Sequence, residues 1–473
     1  MIPPLIALFA WIPISLFIFW RRPARQAILI SFLGGWAVLP SANFVPTGAA
    51  FPYWILGNSL PSDYFFTKAS MTALGALLGV LVFDRQSLRR FRPGLWDLPM
   101  LVWCIVPLLS GIANELGFRS ILRTEVYQLL AWGTPYLLGR IYFSNADALK
   151  LAARAFVIAG LAYLPVCVVE IFTGPQIYAR LYGYEPYRWI GAQRYLGFRP
   201  IGLLEDGNQL GIWMATSALI AIWLWRRKLV AKIAGIPIAW VGMILLAATI
   251  LCQSAGSIVL LLGLLPFLCF SQRGLMRTLA TTIVLGIVAL MGVRLTNVVS
   301  LRSVMSHSSA ARDAAYALRD IGRGSFGWRL AQDEKNVGTA LAKPILGYGR
   351  SNWWKGGTSR PWALWLLAFG MYGMVGLLAL ECLQFAPLAI AIWSPSARSD
   401  VAGHDLRFAL AVVILMSAID NLLNGSMILP LLLLAGGLSS SQLVPSRERE
   451  GVRDAVEDPW EAGRTGRLVR EPV

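Results

Sequence analysis

Residues 297–360 hold a dense set of arginines between two apolar segments. The stretch contains seven arginines, three lysines and only four acids. The arginines are Arg302, Arg312, Arg319, Arg323, Arg329, Arg350 and Arg360. A guanidinium group is planar, permanently charged and able to donate two parallel hydrogen bonds, which suits it to phosphate. The stretch therefore predicts an anionic ligand.

The middle of this stretch has the spacing of one helical face. Four residues follow each other there at i, i+4, i+7 and i+11: Arg312, Tyr316, Arg319 and Arg323. Side chains at this spacing lie on the same side of a helix, so we expect a short cationic helix on a membrane surface. The alternative is a solvated helix in which Asp313 and Asp320 pair with the arginines.

A second cationic stretch precedes an apolar run at 205–225. It reads Arg194-Tyr-Leu-Gly-Phe-Arg199-Pro-Ile-Gly202-Leu-Leu-Glu205-Asp206-Gly-Asn208. Proline and glycine interrupt a helix, which leaves free backbone amides beside Arg199 near the start of the next helix. The adjacent acids at a membrane boundary are costly unless paired or used. The alternative for the surrounding aromatic residues and arginines is an interfacial belt with snorkelling side chains.

A third stretch combines tryptophans with closely spaced glycines. Trp328-Arg329 is followed by Pro344-Ile-Leu-Gly347-Tyr-Gly349-Arg350 and then by Trp353 and Trp354. Such glycines allow a backbone to approach a ligand closely, and tryptophan faces suit sugar rings as well as a lipid interface. The polar residues of the last apolar runs are expected to cap helices or bridge spans: Glu381, Asp420, Asn421 and Asn424.

The composition predicts the elements that position these residues. The 473 residues are 56% apolar and 14% charged, whereas soluble domains carry about 25% charged residues. Apolar runs suited to membrane helices occur at 2–20, 26–42, 67–83, 97–113, 121–140, 150–172, 205–225, 233–251, 255–271, 278–296, 361–393, 407–423 and 425–440. We therefore predict an all-α, polytopic helical membrane protein with about 12–14 transmembrane helices and a large, partly helical outer loop.

The run at 361–393 is longer than the roughly 20 residues that cross a bilayer. We expect it to tilt, to project from the membrane or to bend at Pro387. The net charge of +17 fits lysines and arginines that face anionic lipid beside the membrane. No basic soluble region supports a nucleic-acid partner.

The charge of the short loops predicts the orientation. Arginine- and lysine-rich short loops mark the cytoplasmic side, which places the N-terminus outside and the C-terminus in the cytoplasm. Residues 173–204 and 297–360 then form outer loops. We divide the chain into an integral membrane domain at 1–445 and a disordered cytoplasmic tail at 446–473, because the tail is highly charged and poor in apolar residues.

Four motifs, in this order along the chain, resemble the bacterial O-antigen ligase and polysaccharide polymerase family. They are Arg199-Pro-Ile-Gly202 through Asn208, Cys252-Gln-Ser254-Ala-Gly256, Arg329 through Pro344-Ile-Leu-Gly347-Tyr-Gly349, and Gly370-Met-Tyr-Gly373. The resemblance covers roughly 190–380. It departs from the family at Ala255, where arginine is common, and at Ser359 and Arg360, where ligases carry a His-Asn pair.

The resemblance implies an integral membrane glycosyltransferase of the bacterial inner membrane. We expect no cofactor and no metal, because guanidinium groups can neutralise the diphosphate and the sequence shows no acidic metal-binding cluster. The substrate of this glycosyltransferase would be an undecaprenyl-pyrophosphate-linked glycan, and its further partners membrane lipid, a chain-length regulator and a flippase. The missing His-Asn pair favours a polymerase of repeat units over the alternative, a ligase that transfers glycan to lipid A core or protein. A non-catalytic transporter or flippase is the other alternative.

The resemblance also gives the candidate site residues their roles. Arg199 would stabilise the leaving diphosphate, and the acceptor base would be Glu205, Asp206 or His307. For His307 the alternative is an incidental loop histidine. The predicted substrate-binding residues are Arg194, Arg312, Arg319, Arg323, Arg329, Arg350, Arg360 and Tyr316.

Overall fold

The computed structural model describes most of the chain. The described residues are 1–41, 60–61, 64–89, 91–183, 192–194, 196–269, 273–296, 307–310, 312–313, 316, 325–354, 360–393, 401–425 and 427–440. The predicted tail at 446–473 lies outside them, and so do Arg319 and Arg323.

The fold is all-α, as predicted. Its helices are α1 (Pro4–Arg21), α2 (Ala24–Val38), α3 (Lys68–Phe83), α4 (Arg85–Leu88), α5 (Leu98–Ala113), α6 (Phe118–Gln128), α7 (Thr134–Tyr142), α8 (Ala146–Thr173), α9 (Ile177–Tyr182), α10 (Gly207–Arg226), α11 (Ile238–Leu251), α12 (Ala255–Cys269), α13 (Arg273–Thr296), α14 (Ser325–Leu341), α15 (Leu364–Trp393), α16 (Val401–Asp420) and α17 (Pro430–Leu438). Strands β1 (Gln193–Arg194) and β2 (Gly197–Phe198) form one antiparallel hairpin, and β3 (Lys232–Ile233) and β4 (Ile236–Pro237) form another.

The protein is a polytopic membrane protein. Within the described residues, five helical stretches are long and apolar enough to cross a bilayer: Pro4–Arg21, Leu95–Ala113, Ala146–Thr173, Gly274–Thr296 and Leu364–Trp393. Shorter apolar helices accompany them at Ala24–Val38, Lys68–Phe83, Ile238–Leu251 and Ala255–Phe267. A helix lies at each of the apolar runs predicted from the sequence.

The long helices differ in how much of them is buried. The most apolar window of α15 is 67% buried, whereas that of α13 is only 17% buried. Large apolar side chains such as Phe17 on α1 and Leu285 on α13 are exposed, as expected for faces that contact lipid. Helix α10 is buried along most of its length and contacts α8, α11, α12 and α16. It therefore forms the centre of the bundle.

Helix α15 is interrupted at Gly373, where φ is +64° and ψ is −160°. This break was not predicted: the sequence pointed to Pro387, which lies inside the helix, whereas the residue with the non-helical conformation is Gly373. The segment 344–349 fills the break. Met374 N donates to Pro344 O at 2.7 Å, and Gly349 N donates to Met371 O at 2.8 Å.

Candidate anion-binding site

The segment 199–206 is held in place by a buried carboxylate of α8. Glu170 is fully buried, and its Oε2 accepts hydrogen bonds from Ile201 N at 2.8 Å and from Gly202 N at 2.6 Å. Its Oε1 accepts from Ile177 N at 3.2 Å, at the start of α9. An amide without a partner in such a place would cost about 1–3 kcal/mol. Glu170 therefore fixes the turn that follows Arg199.

Leu203, which follows in this segment, forms hydrogen bonds through both its backbone N–H and its carbonyl oxygen. Leu203 N donates to Tyr163 Oη at 2.6 Å, and Leu203 O accepts from Lys68 Nζ at 2.7 Å. Gly202 has φ of +60°, and a Cβ at this position would lie 2.4 Å from Tyr163 Oη. The glycine is therefore required by conformation and by space.

Asp206 caps α10. Its Oδ1 accepts a hydrogen bond from Gln209 N at 2.7 Å, which is the usual role of an aspartate at a helix N-terminus. The guanidinium of Arg199 lies directly on the first turn of the same helix, because a Cβ at Gly207 would come within 2.4 Å of Arg199 Nε. Arg199 Nη2 donates to Asn208 Oδ1 at 2.6 Å. The predicted grouping of Arg199 with the start of this helix is thus present.

A second arginine joins this site from α14. Arg329 Nη1 donates to Asn424 Oδ1, and Asn208 Nδ2 donates to the same oxygen at 3.4 Å. Two asparagine side chains therefore link the guanidinium groups of Arg199 and Arg329. The turn after α16 supplies Asn424, whose Nδ2 donates to Asp420 Oδ1 at 2.7 Å.

Arg360 lies beside Arg329 on the ring of Trp362. The guanidinium carbons are 5.3 Å and 5.5 Å from the ring centroid, respectively, within the range of cation–π contacts. Arg194 follows from the β1–β2 hairpin and repels Arg199 electrostatically. We call these four residues the arginine cluster: Arg194, Arg199, Arg329 and Arg360.

The two central arginines, Arg199 and Arg329, contact no carboxylate among the described residues. Within the part of the chain that the structure describes, the side-chain hydrogen bonds of Arg199 and Arg329 go to amide oxygens, and neither forms an ion pair. Arg199 Nε is buried and makes no hydrogen bond to a described residue. Asp206 and Asp420 act on the cluster only through space. A neutral amide holds a guanidinium in place but leaves its charge for another anion.

Burial and repulsion act on Arg199. Loss of solvation lowers the pKa of Arg199 to about 10, with Arg194 and Arg329 adding to the shift and Asp206 opposing it. Because this value is far above neutral pH, the group remains a cation. An anion bound beside it would favour the charged form and would relieve the repulsion. The geometry is that of an anion site.

Glu205 is buried and interacts with a buried lysine. Its exposed fraction is 1%, and that of Lys68 is 2%. The two charges interact, and Lys68 Nζ is bonded to Leu203 O, two residues before Glu205. Glu205 N donates to Gln209 Oε1 at 3.0 Å. The structure therefore places Glu205 with a buried lysine that the sequence analysis did not select.

The other predicted site residues lie outside this group. His307, Arg312 and Arg350 are exposed, and Tyr316 has an exposed fraction of 56%. The predicted cationic face of Arg312, Tyr316, Arg319 and Arg323 cannot be compared with the structure as a whole, since Arg319 and Arg323 lie outside the described residues. Among the described arginines of residues 297–360, Arg329 and Arg360 belong to the cluster.

Several residues of the site were not predicted as functional. Asp420 and Asn424 were expected to cap helices or bridge spans, and Asn424 does connect the turn after α16 to Asn208 on α10 and to Arg329 on α14. Lys68 stands at the start of an apolar run, and an ionisable residue in such a run is a recognised sign of function or of a buried partner. That feature could have identified Lys68 before the structure was known.

The glycine motifs have a structural explanation. A Cβ at Gly347 would lie 2.5 Å from Tyr372 N, and one at Gly373 would lie 2.2 Å from Ile345 O. Both glycines also have positive φ, at 63° and 64°. These glycines let two segments of the chain approach each other, whereas the sequence analysis expected the first motif to let the backbone approach a ligand.

Comparison with protein-family models gives no match for this chain, and comparison with curated protein sequences gives none either. Among the described residues, no group of three or more His, Cys, Asp and Glu side chains is arranged to hold a metal ion. The polar groups that the described site offers are arginines, amides and aspartates.

Proposed function

We propose that this protein is a bacterial membrane glycosyltransferase that joins undecaprenyl-pyrophosphate-linked oligosaccharide repeat units. The observation that supports it best is the pair Arg199 and Arg329, which is fixed by Asn208 and Asn424 and which no carboxylate of the described residues contacts. Guanidinium groups in this state are suited to a diphosphate. The four sequence motifs that resemble the O-antigen ligase and polysaccharide polymerase family give the class of substrate.

The reaction would be a displacement at the anomeric carbon of the donor. A hydroxyl oxygen of the acceptor forms the new bond to that carbon, and the bond between the carbon and the diphosphate oxygen breaks. The electron pair leaves with the diphosphate, so negative charge grows where Arg199 and Arg329 lie. Fixed donors aimed at developing charge are among the largest contributions to catalysis.

The proton of the acceptor hydroxyl requires a base. Asp206 and Asp420 are the carboxylates that act on the arginine cluster, so we assign this role to one of them. Glu205 has an exposed fraction of only 1% and interacts with Lys68, which favours a structural role for it. His307 is a further candidate for the acceptor base, because the structure does not describe all residues of the loop around it.

The apolar helices would hold the polyprenyl tail in the bilayer. In this proposal the protein lies in the inner membrane, with the arginine cluster and the N-terminus on the periplasmic side and the C-terminus in the cytoplasm. The charge of the short loops supports this orientation. A flippase would deliver the substrate, and a chain-length regulator would be a second protein partner.

Purified protein with an undecaprenyl-pyrophosphate-linked oligosaccharide, analysed by mass spectrometry, tests the proposal. The expected result is an elongated lipid-linked product with release of undecaprenyl pyrophosphate. Transfer only to lipid A core or to a protein acceptor would support a ligase. Movement of unaltered substrate across a liposome membrane would support a transporter. Either of these outcomes would contradict the polymerase.

A further inference from the structure

Trp328 lies at the edge of the arginine cluster with its ring partly exposed. The exposed fraction of the residue is 47%, and its ring centroid is 5.3 Å from that of Trp362, at an angle of 62°. Trp362 carries the guanidinium groups of Arg329 and Arg360 on its ring. Trp328 is thus one aromatic ring away from two cations of the cluster.

The other tryptophans of this region have structural roles. Trp353 and Trp354 have exposed fractions of 6% and 7%. Their indole N–H groups donate to Leu367 O at 3.3 Å and to Ser351 O at 3.1 Å. Trp365 lies under Arg294 and is buried. Of these rings, Trp328 has the surface that a ligand can reach.

We propose that Trp328 binds the sugar that is attached directly to the diphosphate of the donor. This inference depends on the proposed function. A single oxygen atom joins that sugar to the diphosphate, so a diphosphate on Arg329 and Arg360 brings the sugar ring beside the aromatic pair. The flat apolar face of tryptophan packs against the C–H face of a sugar ring, while its edge remains polar.

The contacts of Trp362 position this surface without a ligand. Its ring is held by two guanidinium groups, and Trp328 rests against it edge to face. An aromatic surface that is already ordered loses little conformational freedom on binding. The alternative explanation for an exposed tryptophan in a membrane protein is contact with lipid headgroups. The experiment below distinguishes sugar binding from lipid contact.

The test measures affinities of purified protein for two ligands, undecaprenyl pyrophosphate and the same lipid carrying an oligosaccharide. We expect Trp328→Ala to weaken binding of the glycosylated lipid about tenfold and to leave binding of undecaprenyl pyrophosphate unchanged. Trp328→Phe should retain most of the affinity. Trp240→Ala is the matched control, because Trp240 has an exposed fraction of 60% on α11, and it should change neither affinity.

Two outcomes would overturn the inference. Equal weakening for both ligands would assign Trp328 to the lipid, and an unchanged affinity for the glycosylated lipid would remove it from the site. Failure of the wild-type protein to bind undecaprenyl pyrophosphate would instead contradict the proposed function, and the sugar subsite with it. Thermal unfolding of each variant confirms that the protein is folded.

Discussion

Two arginine environments at the same end of the bundle differ in what holds the charge. Arg294 Nη2 forms an ion pair of 2.9 Å with buried Asp333, and Arg294 Nη1 donates to Leu422 O at 3.3 Å. Its guanidinium also lies over Trp365. Arg199 and Arg329, by contrast, donate to the amide oxygens of Asn208 and Asn424.

The difference shows which arginines can serve a ligand. Arg294 is neutralised, so its role is to connect α13 to α14 and to the start of α15, where Asp333 Oδ1 also accepts from Trp362 N at 2.5 Å. Arg199 and Arg329 are positioned but keep an excess of positive charge. Many arginines in one loop indicate a region where an anion could bind. The chemical type of their hydrogen-bond partners indicates which of these arginines could bind it.

The largest effect should come from Arg199. We expect Arg199→Ala to reduce elongation activity about 10²–10³-fold, the usual result of removing a fixed donor to developing negative charge. Stability should be unchanged or higher, because Arg199 is repelled by Arg194 and Arg329. Product formation and thermal unfolding measure the two quantities. Normal activity in this variant would show that Arg199 belongs to the same class as Arg294.

Arg294→Ala should act on stability and spare the chemistry. Asp333 would remain buried without its cation, at a cost of about 3 kcal/mol or more in the free energy of unfolding. Arg294→Met combined with Asp333→Asn should recover most of that loss, since asparagine can still accept from Trp362 N. Denaturant unfolding measures both variants. A stable Arg294→Ala protein that cannot elongate its substrate would contradict the comparison.

The loss in the free energy of unfolding caused by Arg294→Ala, which we call the deficit, should also depend on pH. Burial raises the pKa of Asp333, and Arg294 opposes that shift, so removal of Arg294 raises it further. A carboxyl whose pKa is higher in the folded state stabilises the fold below its unfolded pKa, near 4, and this stability is lost as the pH rises through the folded value. The deficit should therefore shrink on acidification. Unfolding curves at a series of pH values from about 4 upward provide the measurement.

Lys68 extends the comparison to a buried cation that interacts with a buried acid, Glu205. Lys68→Met should destabilise the protein by about 2 kcal/mol, because Leu203 O loses a charged donor and Glu205 loses its nearby cation. Lys68→Met with Glu205→Gln should be more stable than Lys68→Met alone and should remain active. An inactive but well-folded double variant would instead indicate that Glu205 is the acceptor base.

The smallest effect concerns the glycines where the segment 344–349 packs against the break in α15. Gly347→Ala should lower the free energy of unfolding by about 1–2 kcal/mol, because it adds a Cβ at positive φ against the backbone of Tyr372. Gly338→Ala is the control. Gly338 lies in α14 with open space around it, so alanine there should stabilise by up to about 1 kcal/mol. Equal effects would contradict the role of Gly347.

The helices could be predicted from the sequence because each apolar run needs its backbone hydrogen bonds satisfied internally. The break in α15 could not be placed in the same way. Proline at 387 is the stronger local signal, but it lies inside the helix. The non-helical residue is Gly373, where the distant segment 344–349 supplies the partner hydrogen bonds. A contact between segments so far apart leaves no periodicity in either one.

The site was predictable in part for a similar reason. Arg199 and Asn208 are close in sequence and lie on one helix start, so their grouping follows from local pattern. Asn424 reaches them only through the packing of α16 against α10. The sequence also does not indicate which loop arginines belong to the cluster. Arg329 and Arg350 are equally basic, but Arg350 is exposed in the structure.

The central claim is that the arginine cluster binds the diphosphate. The most direct test measures the affinity of purified protein for undecaprenyl pyrophosphate in the wild type and in three variants, Arg199→Gln, Arg329→Gln and Arg350→Gln. Removal of one charged donor from a buried anion site is expected to weaken binding about tenfold or more, so Arg199→Gln and Arg329→Gln should both show this loss. Exposed Arg350 should show almost none. Equal affinity in all four proteins, with folding unchanged, would contradict the assignment of the arginine cluster to the diphosphate.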